Sequence, residues 1–290
     1  MRSALPCAPL TLCIALAACE PAPEGEPVTR TEIGKGAEEE AAMRAQEQAA
    51  ERAALAQSSV CSSVEFEGIP LTHCVADPAT HRVRTALAGP EGEVFGSLDS
   101  FSQTVDQATV AFAVNGGEFE RSGKPIGYFV ENGERIVELD REDGSGNFYL
   151  KPNGVFFGTG GAWQIMPTDR FYSTVGARPE FGTQSGPMLV IDGELHPEIQ
   201  DNGPSRAVRN GVGVDSEGKA HFVQSEEALS FGQLARFFRD TLQTPNALYL
   251  DSNVSSLWDP ATARLDADAA LGPLIIVLKD DLEERPEVSE

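Results

Sequence analysis

Short apolar runs separated by tight turns constrain this chain more than any other feature. Asn132-Gly133 lies between the apolar runs Tyr128–Val130 and Arg135–Val137, and residues 215–218 separate two further runs. Asn-Gly and related pairs tolerate the positive φ angles that tight hairpins require. No regular strand–helix alternation is present, so a doubly wound sheet is not expected. We predict an α+β fold, a single domain with a largely antiparallel or mixed central sheet and few helices.

One segment of this domain has a clear helical pattern. Ser230 and Gln233 fit a capping box, and apolar residues then recur every three or four positions as far as Leu242. The next apolar run starts at Asn246 and stops at Asp251. This pattern is typical of a buried strand that presents a carboxylate at its C-terminal end, although Asp-Ser-Asn is also ordinary turn chemistry.

The first 18 residues are typical of a signal peptide, since Arg2 precedes an apolar stretch too short to cross a bilayer. The stretch ends Leu16-Ala17-Ala18-Cys19 and resembles the bacterial lipobox, in which the cysteine receives lipid. We therefore expect a membrane partner through a lipid anchor at Cys19. An Asp directly after the lipidated cysteine is the inner-membrane retention signal of enteric bacteria. Glu20 stands at that position instead, which favours a periplasmic lipoprotein of the outer membrane. The alternative is an ordinary signal peptide with an incidental cysteine.

Residues 19–57 are predicted to form an acidic tether that precedes a domain at 58–290. Its first part is rich in Pro, Glu and Gly and is expected to be disordered. Ala37–Gln57 is rich in Ala and Glu, and Glu40 and Arg44 stand in the favourable i,i+4 order. A helical spacer is favoured over a coiled-coil partner site because the apolar face is mostly Ala.

The cysteines indicate the redox compartment, and the net charge restricts the classes of partner. Cys61 and Cys74 are the two cysteines outside the leader, and export favours a disulfide between them over two free buried thiols. The formal net charge of −23 disfavours nucleic acid as a partner. A bound phosphate would need a few arginines and backbone N–H groups.

Neither a metal nor a cofactor is predicted. The four histidines show no HExxH spacing, and the acidic run from Asp140 misses the EF-hand pattern, so a solvated turn is the simpler interpretation. No G-x-S-x-G motif is present. Ser185 precedes a Gly-Pro turn, where it suits a turn or a ligand contact better than a nucleophile.

Several apolar runs end in clusters of small polar residues. Glycines in such clusters allow a backbone to approach a ligand, arginines complement phosphate, and a carboxylate stabilises an oxocarbenium-like centre or activates water. These residue types favour an anionic sugar derivative as the ligand. The clusters are Asn115-Gly116-Gly117, Gln184-Ser185-Gly186, Ser205–Gly211 and Asp251-Ser252-Asn253.

These clusters belong to a wider resemblance. In order along the chain, most of residues 111–278 resembles the phosphodiester glycosidase family, in its bacterial branch. The matching stretches are Val114–Gly117, Gly123–Gly127, Gly146–Gly154, Gln184–Gly193, Arg209–Gly213 and Ala247–Leu257.

The resemblance implies hydrolysis of the bond between a sugar anomeric carbon and a phosphodiester, on a small-molecule or glycoconjugate substrate. It implies Asp251 as catalytic carboxylate, with Arg209 binding phosphate and Asn115 completing the catalytic group. The remaining expected substrate contacts are Gly116, Gly117, Gln184, Ser185, Gly186 and Ser255.

Two departures from the family pattern keep alternatives open. Glu118 stands where the family usually has an apolar residue, and Ser252 stands where Gly is usual. A Ser at a positive φ would cost about 1 kcal/mol. The alternatives are a non-catalytic glycan- or phosphate-binding envelope lipoprotein that retains the fold, and a purely structural envelope protein.

Overall fold

The computed structural model of the chain describes residues 35–250, 254–267 and 269–280. The predicted signal peptide, Cys19 and the first part of the tether lie outside these ranges, as does Asp251. The chain divides into two compact units between Gln48 and Ala49. Helix α1 (Lys35–Gln57) runs through this boundary, and its residues 49–57, which belong to the second unit, are exposed.

All other described elements belong to the second unit. The helices are α2 (Leu98–Ser102), α3 (Thr168–Thr174) and α4 (Phe231–Arg236), with 3₁₀ turns at Gln107–Thr109 and Asn147–Tyr149 and a π-helix at Phe237–Thr241. The strands are β1 (Cys61–Phe66), β2 (Ile69–Ala76), β3 (His81–Ala86), β4 (Val110–Asn115), β5 (Phe129–Glu131), β6 (Glu134–Val137), β7 (Gly154–Thr159), β8 (Ala162–Pro167), β9 (Phe181–Ser185), β10 (Met188–Ile191), β11 (Glu194–Leu195), β12 (Arg206–Ala207), β13 (Asn210–Val214), β14 (Ala220–Ser225), β15 (Leu229–Ser230), β16 (Asn246–Tyr249), β17 (Leu257–Asp259), β18 (Arg264–Leu265) and β19 (Leu274–Lys279).

These strands form three main sheets and one two-stranded ribbon. The largest sheet has the order β1-β2-β14-β13-β16-β10-β11, the second β18-β17-β4-β19-β3 and the third β6-β5-β9-β7-β8, while β12 pairs with β15. Every pairing among the described strands is antiparallel. The predicted α+β class with few helices and a largely antiparallel sheet is confirmed.

The hairpin predictions depend on turn residues, and these adopt the expected backbone. Asn132 and Gly133 have φ angles of 51° and 76°, and Asp192 and Gly193 have 50° and 87°, as two-residue hairpin turns require. The apolar runs Phe148–Leu150 and Gly154–Phe157 also predict a pair of strands, and the first of these two predictions is wrong. That segment is a 3₁₀ turn, and β7 instead pairs with β8 and β9.

The central core lies where the three sheets meet. Phe222 of β14 contacts Phe112 of β4, with ring centroids 5.2 Å apart, and also Phe156 of β7, at 5.9 Å. All three rings are at most 2% exposed. One aromatic cluster therefore packs all three sheets against each other.

A second core lies under α4, on the opposite face of the largest sheet. Ser230 and Gln233 form the predicted capping box, but the predicted single helix changes to a π-helix at Phe237. Phe238 lies against β13, where a Cβ at Gly213 would be 2.7 Å from its ring. The helix can pack this closely because β13 carries glycines on that face. The short helices α2 and α3 were not predicted.

Candidate active site

Asn115, at the end of β4, is the centre of a buried hydrogen-bond network. Its Oδ1 accepts from Asn210 Nδ2 at 2.6 Å and from the N–H of Ser256 at 3.0 Å, and its Nδ2 donates to the Val254 carbonyl at 3.0 Å. Asn115 and Asn210 are each at most 2% exposed. The network joins β4, β13 and the chain that follows residues 251–253.

The two glycines after Asn115 lie in a space too small for side chains. The Gly116 N–H donates to the Pro273 carbonyl at 2.7 Å, and its carbonyl accepts from the Thr183 hydroxyl. Gly117 has a φ of +140°, and a Cβ there would lie 2.8 Å from Thr183 Oγ1. The Gly116 N–H is already used by the fold, so Gly117 is the better candidate for a ligand contact.

The side chain of Gln184 supports the structure through four hydrogen bonds. Its Oε1 accepts from the N–H groups of Tyr128 and Asp140, both at 2.9 Å. Its Nε2 donates to the Asp140 carbonyl at 2.6 Å and to Thr168 Oγ1 at 3.1 Å. These contacts fill the donors and acceptors of the amide. Direct contact with substrate, expected from the sequence, would require breaking one of them.

Ser185 holds the end of β16. Its hydroxyl is fully buried and donates to the Leu250 carbonyl at 2.6 Å, and the N–H of Leu250 donates to the Asn210 carbonyl at 3.3 Å. Leu250 directly precedes Asp251 in the chain. Ser185 therefore positions the described residue next to the predicted carboxylate and is not aligned as a nucleophile.

Gly186 completes this corner by close packing. A Cβ there would lie 2.7 Å from the Phe148 carbonyl oxygen and 2.8 Å from the Cβ of Asn153. The side-chain amide of Asn153 donates to the same Phe148 carbonyl at 2.9 Å. Gly186 thus has a packing role, which needs no ligand contact.

Arg209 is a buried cation, only 2% exposed. Its Nε donates to the Leu229 carbonyl at 3.1 Å, Nη1 to the Tyr249 hydroxyl at 3.1 Å, and Nη2 to Ser205 O and Oγ at 3.2 and 3.0 Å. The guanidinium also lies 3.7 Å from the Phe231 ring centroid. Each of these partners is neutral, and within the described ranges Arg209 forms no ion pair.

A cavity lies beside the partners of Arg209. Its volume is about 160 Å³, and Ser205 and Phe231 both line it, together with Glu198. Ser255, another predicted contact, is half-buried, and its hydroxyl donates to the Val208 carbonyl at 3.4 Å. Asp251, the predicted catalytic carboxylate, lies outside the described residues, as do Ser252 and Asn253.

Comparison with known proteins decides the family of the chain. The model of the phosphodiester glycosidase family matches residues 108–259, just over half of the chain. The chain belongs to the phosphodiester glycosidase family. The uncharacterized protein YigE of Escherichia coli strain K12 is 35% identical over 183 residues, which are 63% of this chain and 71% of that one. The resemblance to a bacterial branch of this family is confirmed.

A solved structure agrees at the level of the fold. The catalytic domain of zebrafish N-acetylglucosamine-1-phosphodiester alpha-N-acetylglucosaminidase, auto-inhibited by its pro-peptide, aligns with a TM-score of 0.52. The alignment covers 75% of this chain and 81% of that chain, at 15% identity. Membership of the phosphodiester glycosidase family supports a glycosidase-type hydrolytic function.

Glu118, one of the departures from the phosphodiester glycosidase pattern, is 9% exposed and follows Gly117 directly. Nearby, the Tyr149 hydroxyl donates to Asp140 Oδ2 at 3.1 Å. Burial, with the charges of Asp140 and Glu118, raises the pKa of Tyr149 above its usual value. This side of the site therefore carries negative charge, unlike the Arg209 side.

Sequence reasoning assigned no role to Asn210 or Thr183, although both hold the strand ends together. Asn210 lies in a stretch that matches the family, but nothing in that stretch shows that it bonds to Asn115, 95 residues away. Only the pairing of distant strands reveals the contact.

The remaining predictions concern the cysteines, metals and the membrane. Cys61 and Cys74 form the predicted disulfide between β1 and β2. Among the described residues, no cluster of three or more His, Cys, Asp or Glu is arranged to hold a metal ion. Within the same ranges, every helix is too short or too polar to cross a membrane.

Proposed function

We propose that the protein hydrolyses a sugar 1-phosphodiester, breaking the bond between the anomeric carbon and the phosphate oxygen. Membership of the phosphodiester glycosidase family supports this reaction class. The observation that carries the proposal is that residues at the ends of β4, β9 and β13 bond to Leu250, Val254 and Ser256. Asn115, Ser185 and Asn210 all bond to described residues that flank Asp251 and its neighbours.

Asp251 is the proposed catalytic carboxylate. The phosphomonoester leaving group is already acidic, so its departure needs little help from a general acid. The main demand is to stabilise positive charge at the anomeric carbon, which a carboxylate meets directly or by activating the attacking water. The oxygen of a water molecule bonds to the anomeric carbon as the bond from that carbon to the phosphate oxygen breaks. The phosphomonoester leaves with the electrons of the broken bond, and the proton lost by the water passes to Asp251 and then to solvent.

Arg209 supplies the positive charge in this proposal. Its described partners are neutral, so its charge remains available to an anion. Arg209 directly precedes Asn210 in the chain, and the Asn210 carbonyl accepts from the N–H of Leu250, the last described residue before Asp251. The guanidinium is buried, so it acts through its field and its remaining N–H rather than as an exposed clamp. Gly117 is the proposed backbone donor to phosphate.

The decisive experiment measures sugar release from a synthetic N-acetylglucosamine-1-phosphate methyl diester. The wild-type protein should release sugar, and Asp251→Asn should fold with an unchanged circular dichroism spectrum yet lose at least about 100-fold in kcat. Equal turnover by the two proteins would reject the role of Asp251.

A second candidate function is binding without turnover, and Glu118 is the observation that favours it. A buried carboxylate beside Gly117 opposes a phosphate there. This alternative predicts that the wild-type protein binds the diester in calorimetry without releasing sugar. It also predicts that Glu118→Leu strengthens binding.

We further propose that the substrate is a glycoconjugate of the bacterial envelope. The lipobox-like residues ending at Cys19 support a periplasmic lipoprotein anchored to the outer membrane. Membrane fractionation tests this, because Cys19→Ser should move the protein to the soluble periplasmic fraction. An unchanged distribution would contradict the anchor.

A further inference from the structure

A groove lined by arginines lies between the end of β6 and helix α3. Its volume is about 430 Å³, which falls within the usual range for small-molecule sites. Tyr128, Leu139 and Phe171 line its apolar part. The arginines that line it are Arg135, Arg141 and Arg178, and we call this site the arginine groove. None of the proposed active-site residues lines it.

The arginine groove is positively charged on a chain of formal net charge −23. Glu138 is its one acidic lining residue, and it pairs with Arg135 at 2.8 Å. Arg141 pairs with Asp169 at 3.3 Å, through a carboxylate that is 82% exposed. Such exposed ion pairs are weak and exchange readily for another anion.

Arg178 is the arginine that most favours an anionic ligand. It is exposed and reaches only the Gly133 carbonyl, at 3.5 Å, and it has no carboxylate partner within the part of the chain that the structure describes. The charges of Arg135 and Arg178 both act to lower the pKa of Tyr128, against the larger effect of burial, which raises it. The two guanidinium groups therefore lie near one buried phenol at the floor of the groove.

Tyr172 gives the arginine groove an aromatic surface. Its side chain is among the exposed large hydrophobics, at 62%, and the Arg141 guanidinium lies 4.1 Å from its ring centroid. An exposed aromatic ring beside cations suits a sugar ring that carries an acidic group, since the ring stacks on apolar C–H faces and arginines bind the anion.

Gln184 fixes the floor and one wall of the arginine groove at once. It accepts from the N–H of Tyr128 and bonds to both the N–H and the carbonyl of Asp140. Asp140 lies between the lining residues Leu139 and Arg141. A groove fixed in this way loses little entropy when a ligand binds.

We propose that the arginine groove binds an acidic saccharide, as a site separate from the proposed hydrolytic centre. The ligand class is a sugar with a carboxylate or phosphate substituent: the anionic group contacts Arg141 and Arg178, and the sugar ring stacks on Tyr172. This inference is independent of turnover at Asp251.

Calorimetry on the full chain tests the arginine groove with three probes: trigalacturonate, neutral maltotriose and inorganic phosphate. Trigalacturonate should bind, and the Arg141→Ala/Arg178→Ala protein should bind it at least about 10-fold more weakly. Arg82→Ala is the matched control, because Arg82 is an exposed, ion-paired arginine on β3, and it should leave the Kd within about 2-fold of the wild type.

Tyr172 variants separate saccharide recognition from simple anion binding. Tyr172→Ala should weaken trigalacturonate binding and leave phosphate binding unchanged, while Tyr172→Phe should retain both. The proposal is overturned if trigalacturonate does not bind, if maltotriose binds equally well, or if phosphate alone binds as tightly as the saccharide. Equal loss in the Arg82→Ala control would also overturn it.

Discussion

Asn210 of β13 donates its side-chain amide to Asn115 Oδ1 at 2.6 Å and so connects two sheets at the candidate active site. The same oxygen accepts from the Ser256 N–H, while Asn115 Nδ2 reaches the Val254 carbonyl. One buried amide therefore ties the chain that follows residues 251–253 to both β4 and β13.

Replacing Asn115 should reduce both stability and turnover. Asn115→Ala removes three buried hydrogen bonds and leaves their partners unpaired, so we expect a loss of about 2–4 kcal/mol in the free energy of unfolding. Urea denaturation measures this loss. Asn202→Ala is the control, because Asn202 is exposed and its replacement should leave the free energy of unfolding within about 0.5 kcal/mol of the wild type. An Asn115→Ala protein as stable as the Asn202→Ala protein would contradict the network's importance.

Arg209→Lys should impair the protein although the charge remains. Lysine cannot reproduce the fork that reaches Leu229, Tyr249 and Ser205, nor the stacking on Phe231. We expect kcat/KM for the diester to fall at least about 10-fold. Arg206→Lys is the matched change on the neighbouring strand β12 and should have little effect. Unchanged kinetics in Arg209→Lys would argue against a specific guanidinium role.

The Cys61–Cys74 disulfide should stabilise the domain measurably. It closes a short loop across the hairpin of β1 and β2, for which chain-entropy arguments give about 3 kcal/mol. Cys61→Ser/Cys74→Ser should lower the unfolding free energy by this order, and dithiothreitol should lower the Tm of the wild type but not of the variant. A reductant effect of equal size in both proteins would place the sensitive bond elsewhere.

His73 should make stability fall at acid pH. Burial, together with the charge of His221, lowers the pKa of His73 from 6.5 to about 4. Between these two pKa values, His73 is therefore protonated in the unfolded chain and neutral in the folded chain. Stability contributed by His73 is complete above pH 6.5 and is lost as the pH falls toward 4, by about 2 kcal/mol.

Urea midpoints at pH 7 and pH 4.5 measure this effect of His73. His73→Gln should flatten the difference, since glutamine stays neutral and retains a donor near His221, which His73 contacts at 2.9 Å. Identical pH dependence in the wild type and the variant would show that other groups cause the acid sensitivity.

Local sequence patterns predicted the structure correctly where it depends on interactions between residues close together in the chain. Asn132-Gly133 predicted a hairpin because few residue pairs tolerate its backbone angles. The capping box at Ser230 and Gln233 formed because each side chain accepts from the backbone N–H of the other residue, three positions away. Phe148 was misjudged because an apolar run of three residues is compatible with either a strand or a tight turn, and packing made the choice.

The sequence by itself determined the antiparallel α+β class, the disulfide pair and the family, because turn residues, the two cysteines outside the leader and the order of the motifs can all be read along the chain. Only the tertiary structure decided that Arg209 is buried among neutral partners, that the amide of Gln184 supports Asp140 and Tyr128, and that Asn210 reaches Asn115. These contacts join residues far apart in the chain. Burial and hydrogen-bond satisfaction depend on which strands meet, and strand pairing is a property of the whole fold.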